Sequence, residues 1–151
     1  MPAGDMLAPT SPLFLSSLGA ELGLPGDGVD VLLASEGLEG ETELVEVVRD
    51  EHPRVIRARA HRDDVRVFAD RGGATTVIFG SGLVGRPEVA VEVDPAEQGR
   101  GLATAALLEA RRLVGPDHVL FAQTAPGNAA SLRALLAAGF VPIGSEVLFF
   151  A

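Results

Sequence analysis

The sequence predicts one α/β domain of the mixed α+β kind, in which a mostly antiparallel, mixed sheet is flanked by helices. Residues 88–93 alternate between valine and polar or small residues, which is typical of a strand with one buried face. Residues 101–115 and 127–140 carry apolar side chains at helical spacing, and glycine marks the end of each run. From residue 52 the predicted order is α-β-β-β-α-β-α-β, and 151 residues are enough to bury one such core.

The first third of the chain is predicted to hold one helix and two strands. Ser11 is a good N-cap and Pro12 a good first residue, so a helix is expected to begin there and to end at Gly23. Apolar strands are predicted at 27–35 and 43–48, on either side of a glycine turn.

Residues 50–64 carry conflicting signals. Asp50 as a cap and Pro53 in the first turn favour a helix, whereas the alternation in VIRARA favours a strand. We predict a helix here.

The remaining elements have clearer boundaries. The segments VRVFAD and TTVIFG flank the turn RGGA, which predicts a β-hairpin over 64–80. A strand is predicted at 118–126, and Asn128 is expected to cap the helix that follows. The segment 140–150 is predicted to form a final strand pair or one bent strand.

Negative charge is concentrated near the N-terminus. Residues 1–51 have a net charge of −10, whereas residues 52–151 have a net charge of +1. We therefore predict an acidic N-terminal extension over 1–42 and a main domain over 43–151, packed as one compact unit. This balance argues against a nucleic-acid partner. The acidic extension is expected to be a solvated surface; the alternatives are a preference for cationic acceptors or a partner-docking surface.

Several residue types are missing, and each absence excludes a chemistry. The chain has no cysteine, lysine, tyrosine or tryptophan, which excludes disulfides, thiolate catalysis and Schiff-base chemistry. The histidines His52, His61 and His118 lack metal-ligand spacing, so no metal is expected. No apolar run reaches a membrane span and no signal peptide is evident, so we predict a cytoplasmic protein without a membrane partner.

One glycine motif is predicted to be structural only. Gly80, Gly82 and Gly85 have the spacing of a dinucleotide-binding loop, but that loop must open a helix. Here Pro87 and an alternating strand follow, which predicts a simple connection between strands.

A second glycine motif, QGRGLA, lies between a predicted strand and a predicted helix. The first turn of a helix offers unpaired N–H donors and a partial positive charge. Gly99 and Gly101 lack Cβ atoms, so backbone amides can close around an oxyanion, while Arg100 adds charge and Thr104 a hydroxyl. From these residues alone two interpretations stand equally: a cradle for a pyrophosphate, or a plain strand–helix turn with an exposed arginine.

These residues resemble the acyl-CoA-binding motif of the GNAT superfamily of acetyltransferases. Gln98 to Ala103 match the pattern Gln/Arg-x-x-Gly-x-Gly/Ala, and Val93-Asp94-Pro95 precede it as in that family. A second landmark lies downstream, with Asn128 opening the last helix and Gly139-Phe140 closing it. The resemblance covers about 86–140 most clearly.

The resemblance implies transfer of an acetyl group from acetyl-CoA to an amine acceptor. Acetyl-CoA would enter where strand 88–93 diverges from strand 119–124, and the backbone of Val91 to Val93 would pair with its pantetheine arm. Its pyrophosphate would rest on the backbone amides of residues 98–103, which we call the cradle, and Asn128 would contact the pantetheine. The cofactor-binding residues so implied are Val91, Val93, Gln98, Gly99, Arg100, Gly101, Leu102, Ala103, Thr104 and Asn128.

The family's usual tyrosine acid is absent. Its position, seven residues after Asn128, is occupied by Leu135. Three alternatives remain: Ser131 positions a water, a water acts alone, or the chain is a degenerate acyl-CoA-binding or regulatory module. Glu92 and Glu88 are the candidate bases; the alternative of equal weight is that both face solvent or pair with arginines. A homodimer is possible through residues 147–150.

Overall fold

The computed structural model describes residues 8–24, 26 and 28–149. This part of the chain contains four α-helices and seven strands. The helices are α1 (Pro12–Leu22), α2 (Pro53–His61), α3 (Leu102–Val114) and α4 (Ala129–Ala137). The strands are β1 (Asp30–Glu36), β2 (Val45–Glu46), β3 (Asp63–Ala69), β4 (Thr75–Ser81), β5 (Pro87–Val93), β6 (Val119–Thr124) and β7 (Val141–Glu146).

All seven strands belong to one sheet, in the order β2-β3-β4-β5-β6-β1-β7. Every neighbouring pair is antiparallel except β5 and β6, which are parallel. The predicted mixed, mostly antiparallel sheet with flanking helices is therefore confirmed, as is the β3–β4 hairpin.

The ambiguous segment 50–64 contains a helix, as predicted, but its cap is not Asp50. The Nδ1 atom of His52 accepts a hydrogen bond from the N–H of Arg54 at 3.3 Å, and Pro53 occupies the first turn. Proline favours this position because its missing N–H would have no helical partner there. Asp50 instead forms an ion pair with Arg59 at 2.6 Å.

Two other predicted elements are shorter in the structure than expected. The strand predicted at 43–48 is reduced to Val45–Glu46. The final segment forms one strand, β7, followed by an isolated bridge between Phe149 and Gly26.

The strand β1 lies inside the sheet, paired with β6 on one side and β7 on the other. Backbone bonds from Gly37 to His118 and from Leu38 to Arg111 then attach its end to the segment around α3. The sheet thus includes residues from both predicted units, 1–42 and 43–151, because the first unit supplies the internal strand β1.

The core lies on both faces of the sheet. The larger cluster contains Leu33, Phe68, Leu120 and Phe140, and α3 and α4 cover it. The smaller cluster lies under α2. Its buried members are Val55, Ala58, Val67 and Ile78.

Strand β5 contributes to both clusters. Val89 and Val91 pack in the larger cluster, and Ala90 packs against the smaller one, so the predicted alternation of this strand is confirmed. Among the described residues, no helix is both long enough and apolar enough to cross a membrane.

Candidate functional site

A cleft opens where β5 and β6 separate. The two parallel strands are paired only at Glu88 and Phe121, and beyond this step each continues without a partner on that side. The cleft has a volume of about 650 Å³. Its lining includes β5 residues 88–91, β6 residues 122–124, and side chains from α2, α3 and α4.

Backbone groups of β5 face this cleft. The N–H of Asp94 donates to the carbonyl of Ala74, on the β4 side of the strand. Since N–H groups alternate in direction along a strand, those of Val93 and Val91 point to the opposite side, where β6 has diverged. These are the two strand residues predicted to pair with an extended ligand.

The motif QGRGLA adopts a left-handed turn that leads into α3. Gly99 has a φ of +77° and Gly101 a φ of +79°, values that favour glycine. A Cβ at either position would meet no atom within 4 Å, so the backbone is accessible from outside. Helix α3 begins at Leu102 without a side-chain cap, so the first-turn amides are available to an anion.

Neighbouring side chains brace this turn. The Nε2 of Gln98 donates to the carbonyl of Val93 at 3.2 Å, which ties the motif to the end of β5. Arg100 forms an ion pair with Glu97 and is exposed, so part of its charge is already balanced. Thr104 is half-buried in the first turn of α3.

Helix α4 contributes a polar side chain followed by an apolar one. Oδ1 of Asn128 accepts from the N–H of Ser131 at 3.1 Å, which confirms the predicted cap. This leaves the Nδ2 group of Asn128 available to a ligand. Ser131 is half-buried, Leu135 is buried, and all three residues line the cleft. Leu135 thus presents only hydrocarbon where the resemblance implies a tyrosine.

The two candidate bases are both engaged by cations. Glu88 is buried, and its carboxylate contacts Nε of Arg62 at 2.9 Å and Nε of Arg86 at 2.5 Å. Glu92 is half-exposed and pairs with Arg54. Proton transfer to either carboxylate would compete with these ion pairs, so their role as bases stays a prediction.

Sequence reasoning missed several polar residues near the cleft. Arg86 forms two hydrogen bonds with Glu146, at 2.9 and 2.5 Å, and Gln123 donates to the same carboxylate. Hydrogen bonding to Glu146 raises the pKa of Arg86, while burial opposes this. These partners are 60 and 23 residues apart, so no local pattern indicates them.

No metal site accompanies this arrangement. Within residues 8–24, 26 and 28–149, no group of three or more histidine, cysteine, aspartate or glutamate side chains is placed to hold a metal ion.

Two solved structures share this arrangement of strands and helices. One, from Novosphingobium aromaticivorans, is assigned to the GNAT family of acetyltransferases. It is 18% identical, with a TM-score of 0.54 over 84% of this chain and 66% of its own. The other is an acetyltransferase from the GNAT family of Colwellia psychrerythraea. It is 13% identical, with a TM-score of 0.52 over 91% of this chain and 62% of its own.

This chain therefore spans slightly less than two thirds of each of those proteins. No protein-family profile matches it, and no curated protein is significantly similar to it in sequence. At this level of identity the likeness concerns the architecture, and it confirms the predicted resemblance there: the protein has the fold of the GNAT acetyltransferases.

Proposed function

We propose that this chain is an N-acyltransferase that transfers an acetyl group from acetyl-CoA to an amine. The observation that carries the proposal is that the cleft at the divergence of β5 from β6 reaches Ala103, in the uncapped first turn of α3. A ligand with an extended polar arm and a pyrophosphate fits such a path, because strand edges bind extended chains and helix N-termini bind phosphates. The fold shared with GNAT acetyltransferases supports the same assignment.

The cradle would hold the diphosphate through its backbone. In this proposal the amides of 98–103 and the hydroxyl of Thr104 bind the anion, and Arg100 adds charge. The backbone groups of Val91 and the N–H of Val93 would pair with the pantetheine arm, with Nδ2 of Asn128 nearby. The open space above Gly99 and Gly101 is consistent with this role.

Bound acetyl-CoA supplies an activated thioester whose carbonyl carbon can react with a neutral amine. A cleft-facing N–H of β5 would stabilise the negative charge that develops on that carbonyl oxygen. Glu92 or Glu88 would take a proton from the ammonium, directly or through a water. Ser131 would position a water to protonate the leaving thiolate, since Leu135 has no proton to donate. We place this reaction in the cytoplasm.

A second candidate is an acyl-CoA-binding or regulatory module without efficient catalysis. The buried Leu135 at the cleft wall favours it, because a general acid contributes roughly 10²–10⁴-fold to rate where one is used. Both candidates require acyl-CoA to bind, so binding is the first property to test.

Calorimetric titration of acetyl-CoA into the protein and into Gly101→Glu tests the proposal. The substitution puts a carboxylate beside the amides that would hold the pyrophosphate. We expect acetyl-CoA to bind the unmodified protein. Its affinity for the variant should be lower by about 100-fold or more, which corresponds to about 2.7 kcal/mol. Acetyl-CoA that fails to bind the unmodified protein would overturn both candidate functions.

Two control variants separate charge from backbone strain. Gly101→Ala introduces a Cβ at the same positive φ but no charge, so it should retain most of the affinity. Gly23→Glu adds a carboxylate at a matching φ of +66°, with open space around it, at the end of α1. It should bind acetyl-CoA like the unmodified protein.

A further inference from the structure

The α2 wall of the cleft contains an unsatisfied donor. Arg62 caps the C-terminal end of α2, lines the cleft and has a side chain only 14% exposed. Its Nη1 is the single buried side-chain nitrogen or oxygen without a hydrogen-bond partner in the described part of the chain. Buried polar groups are rarely left unpaired, because desolvation without a hydrogen bond is costly. Rotation of the Arg62 side chain toward the cleft that it lines would let an oxygen atom of a bound ligand satisfy this donor.

The missing partner is best matched by an anionic oxygen. Burial lowers the pKa of Arg62 and the neighbouring Glu88 raises it, but a guanidinium remains charged in proteins. Guanidinium groups bind carboxylates with a geometry that an amide or hydroxyl cannot match. Glu88 does not saturate this cation, because it is shared with Arg86.

Charges of alternating sign connect the two walls of the cleft. Arg62 contacts Glu88 at 2.9 Å, Glu88 contacts Arg86 at 2.5 Å, and Arg86 contacts Glu146 at 2.5 Å. The series therefore has a cation, Arg62, at its α2 end and an anion, Glu146, at its β7 end.

A second carboxylate lies beside that anionic end. Asp30 of β1 is the register partner of Glu146 in β7, and both residues line the cleft. Side chains at paired positions of adjacent antiparallel strands share one face of the sheet. The β1–β7 wall therefore carries carboxylates, while the α2 wall carries arginines, since Arg54, which is paired with Glu92, and Arg57 line it together with Arg62.

We propose that the acceptor is an amine that carries its own carboxylate, such as an amino acid. The carboxylate would bind the guanidinium of Arg62, and the ammonium group would lie toward Asp30 and Glu146. This inference rests on the proposed function, because it concerns the second substrate of the same cleft. It differs from the preference for purely cationic acceptors that the acidic N-terminal third indicates.

Matched pairs of acceptors test the proposal. We would compare L-leucine with L-leucinamide, β-alanine with β-alaninamide, and 6-aminohexanoate with its amide, each with acetyl-CoA. Release of free CoA thiol can be followed with a thiol reagent, since the chain has no cysteine to react. For at least one pair, we expect kcat/KM for the acid to be about tenfold or more higher than kcat/KM for its amide. A tenfold difference corresponds to about 1.4 kcal/mol.

Variants of Arg62 link this preference to one side chain. Arg62→Lys keeps the charge but loses the planar fork, and the acid-to-amide ratio should fall toward one. Arg59→Lys is the matched control, because Arg59 lies on the same helix, is exposed and pairs with Asp50 outside the cleft. It should retain the ratio. Should Arg62→Lys fail to fold, the ratio of the unmodified protein still decides the question.

The failure of each proposal gives a different result. Amides that react as well as or better than every acid would overturn the carboxylate proposal and leave acyl transfer intact. If acetyl-CoA binds but no acceptor reacts, saturation-transfer NMR with the same pairs shows whether the acids bind in preference to their amides. Acids that bind in preference to their amides, and lose this preference in Arg62→Lys, would support the carboxylate site without transferase activity. Equal binding, or none, would overturn it.

Discussion

Glu88 of β5 and Phe121 of β6 form the single paired step between the two parallel strands. Arg86 lies against both residues: its Nε is 2.5 Å from the Glu88 carboxylate, and its guanidinium is 5.8 Å from the centroid of the Phe121 ring. The strands therefore separate at a point that is held by an ion pair and a cation–π contact. This fixed point determines where the cleft begins.

Gly82 provides the space that the Glu88 carboxylate occupies. A Cβ at position 82 would lie 2.1 Å from Oε1 of Glu88. The carboxylate cannot move away easily, because Arg62 and Arg86 hold it in a buried position. We expect Gly82→Ala to reduce the free energy of unfolding by about 1–3 kcal/mol, measured by chemical denaturation.

A double-mutant cycle identifies the cause of this loss. In a Glu88→Ala background the clash is absent, so adding Gly82→Ala should cost much less than it does alone. Gly127→Ala is the control, since a Cβ there meets nothing within 4 Å. Equal costs of Gly82→Ala in both backgrounds would contradict the proposed contact.

Gly37 permits a close approach between the end of β1 and the end of α3. A Cβ at Gly37 would lie 1.9 Å from the carbonyl oxygen of Gly115, a backbone atom that a rotamer change cannot move. We expect Gly37→Ala to destabilise the protein by about 3 kcal/mol in equilibrium denaturation. Gly144→Ala in β7, where a Cβ meets no atom within 4 Å, should be nearly neutral. A neutral Gly37→Ala would be incompatible with this packing of β1.

Local signals account for the parts of the fold that the sequence predicts well. Helix α3 and its glycine turn are specified within 98–115 by helical spacing and by glycines at positive φ. The pairing of β1 depends instead on distant partners, such as Val31 with Thr124 and with Ser145. Its own alternation indicates a strand but contains no information on which strands will flank it.

The same distinction holds at the site. The cradle and the Asn128 cap come from contiguous residues, so their patterns are visible in the sequence. The ion pair between Arg86 and Glu146 and the unpaired Nη1 of Arg62 arise only when α2, β5 and β7 meet. The arginine-bearing wall of the cleft was therefore unpredictable from a chain whose net charge is −9.

Val84 adopts a conformation that disfavours its side chain. Its φ is +53° and its ψ is +28°, in the left-handed region, although valine is β-branched and this side chain is 94% exposed. Val84→Gly removes the clash between Cβ and the backbone and sacrifices almost no buried surface. Once the entropy cost of glycine in the unfolded chain is subtracted, we expect the free energy of unfolding to rise by about 0.5–1 kcal/mol.

Thermal and chemical denaturation of Val84→Gly would measure this gain. Val48→Gly is the matched control, because Val48 is 84% exposed but does not have a positive φ. It should lower stability by up to about 1 kcal/mol. A loss of similar size in Val84→Gly would show that residue 84 is not strained.

Asp70 links the stability of the β3–β4 turn to pH. Burial raises the pKa of Asp70, but hydrogen bonds from the hydroxyl and N–H of Thr75 and from the N–H of Gly72 outweigh it, so the pKa is lowered overall. A carboxyl with a lowered pKa in the folded state stabilises the protein above the ordinary aspartate pKa of about 3.9. That contribution is lost as the pH falls through the lower, folded-state pKa.

Asp70→Asn should therefore destabilise the protein at pH 7 by about 1 kcal/mol, a value reduced by the solvent exposure of the turn. As the pH falls below about 4, the difference between the variant and the unmodified protein should shrink, because the unmodified carboxyl becomes protonated as well. Urea denaturation at pH 7, 5, 4 and 3 measures both effects. Asp117→Asn, at an exposed loop position, controls for the general effect of removing one negative charge. A difference between Asp70→Asn and the unmodified protein that stays constant down to pH 3 would show that the ionised Asp70 carboxylate does not stabilise the turn.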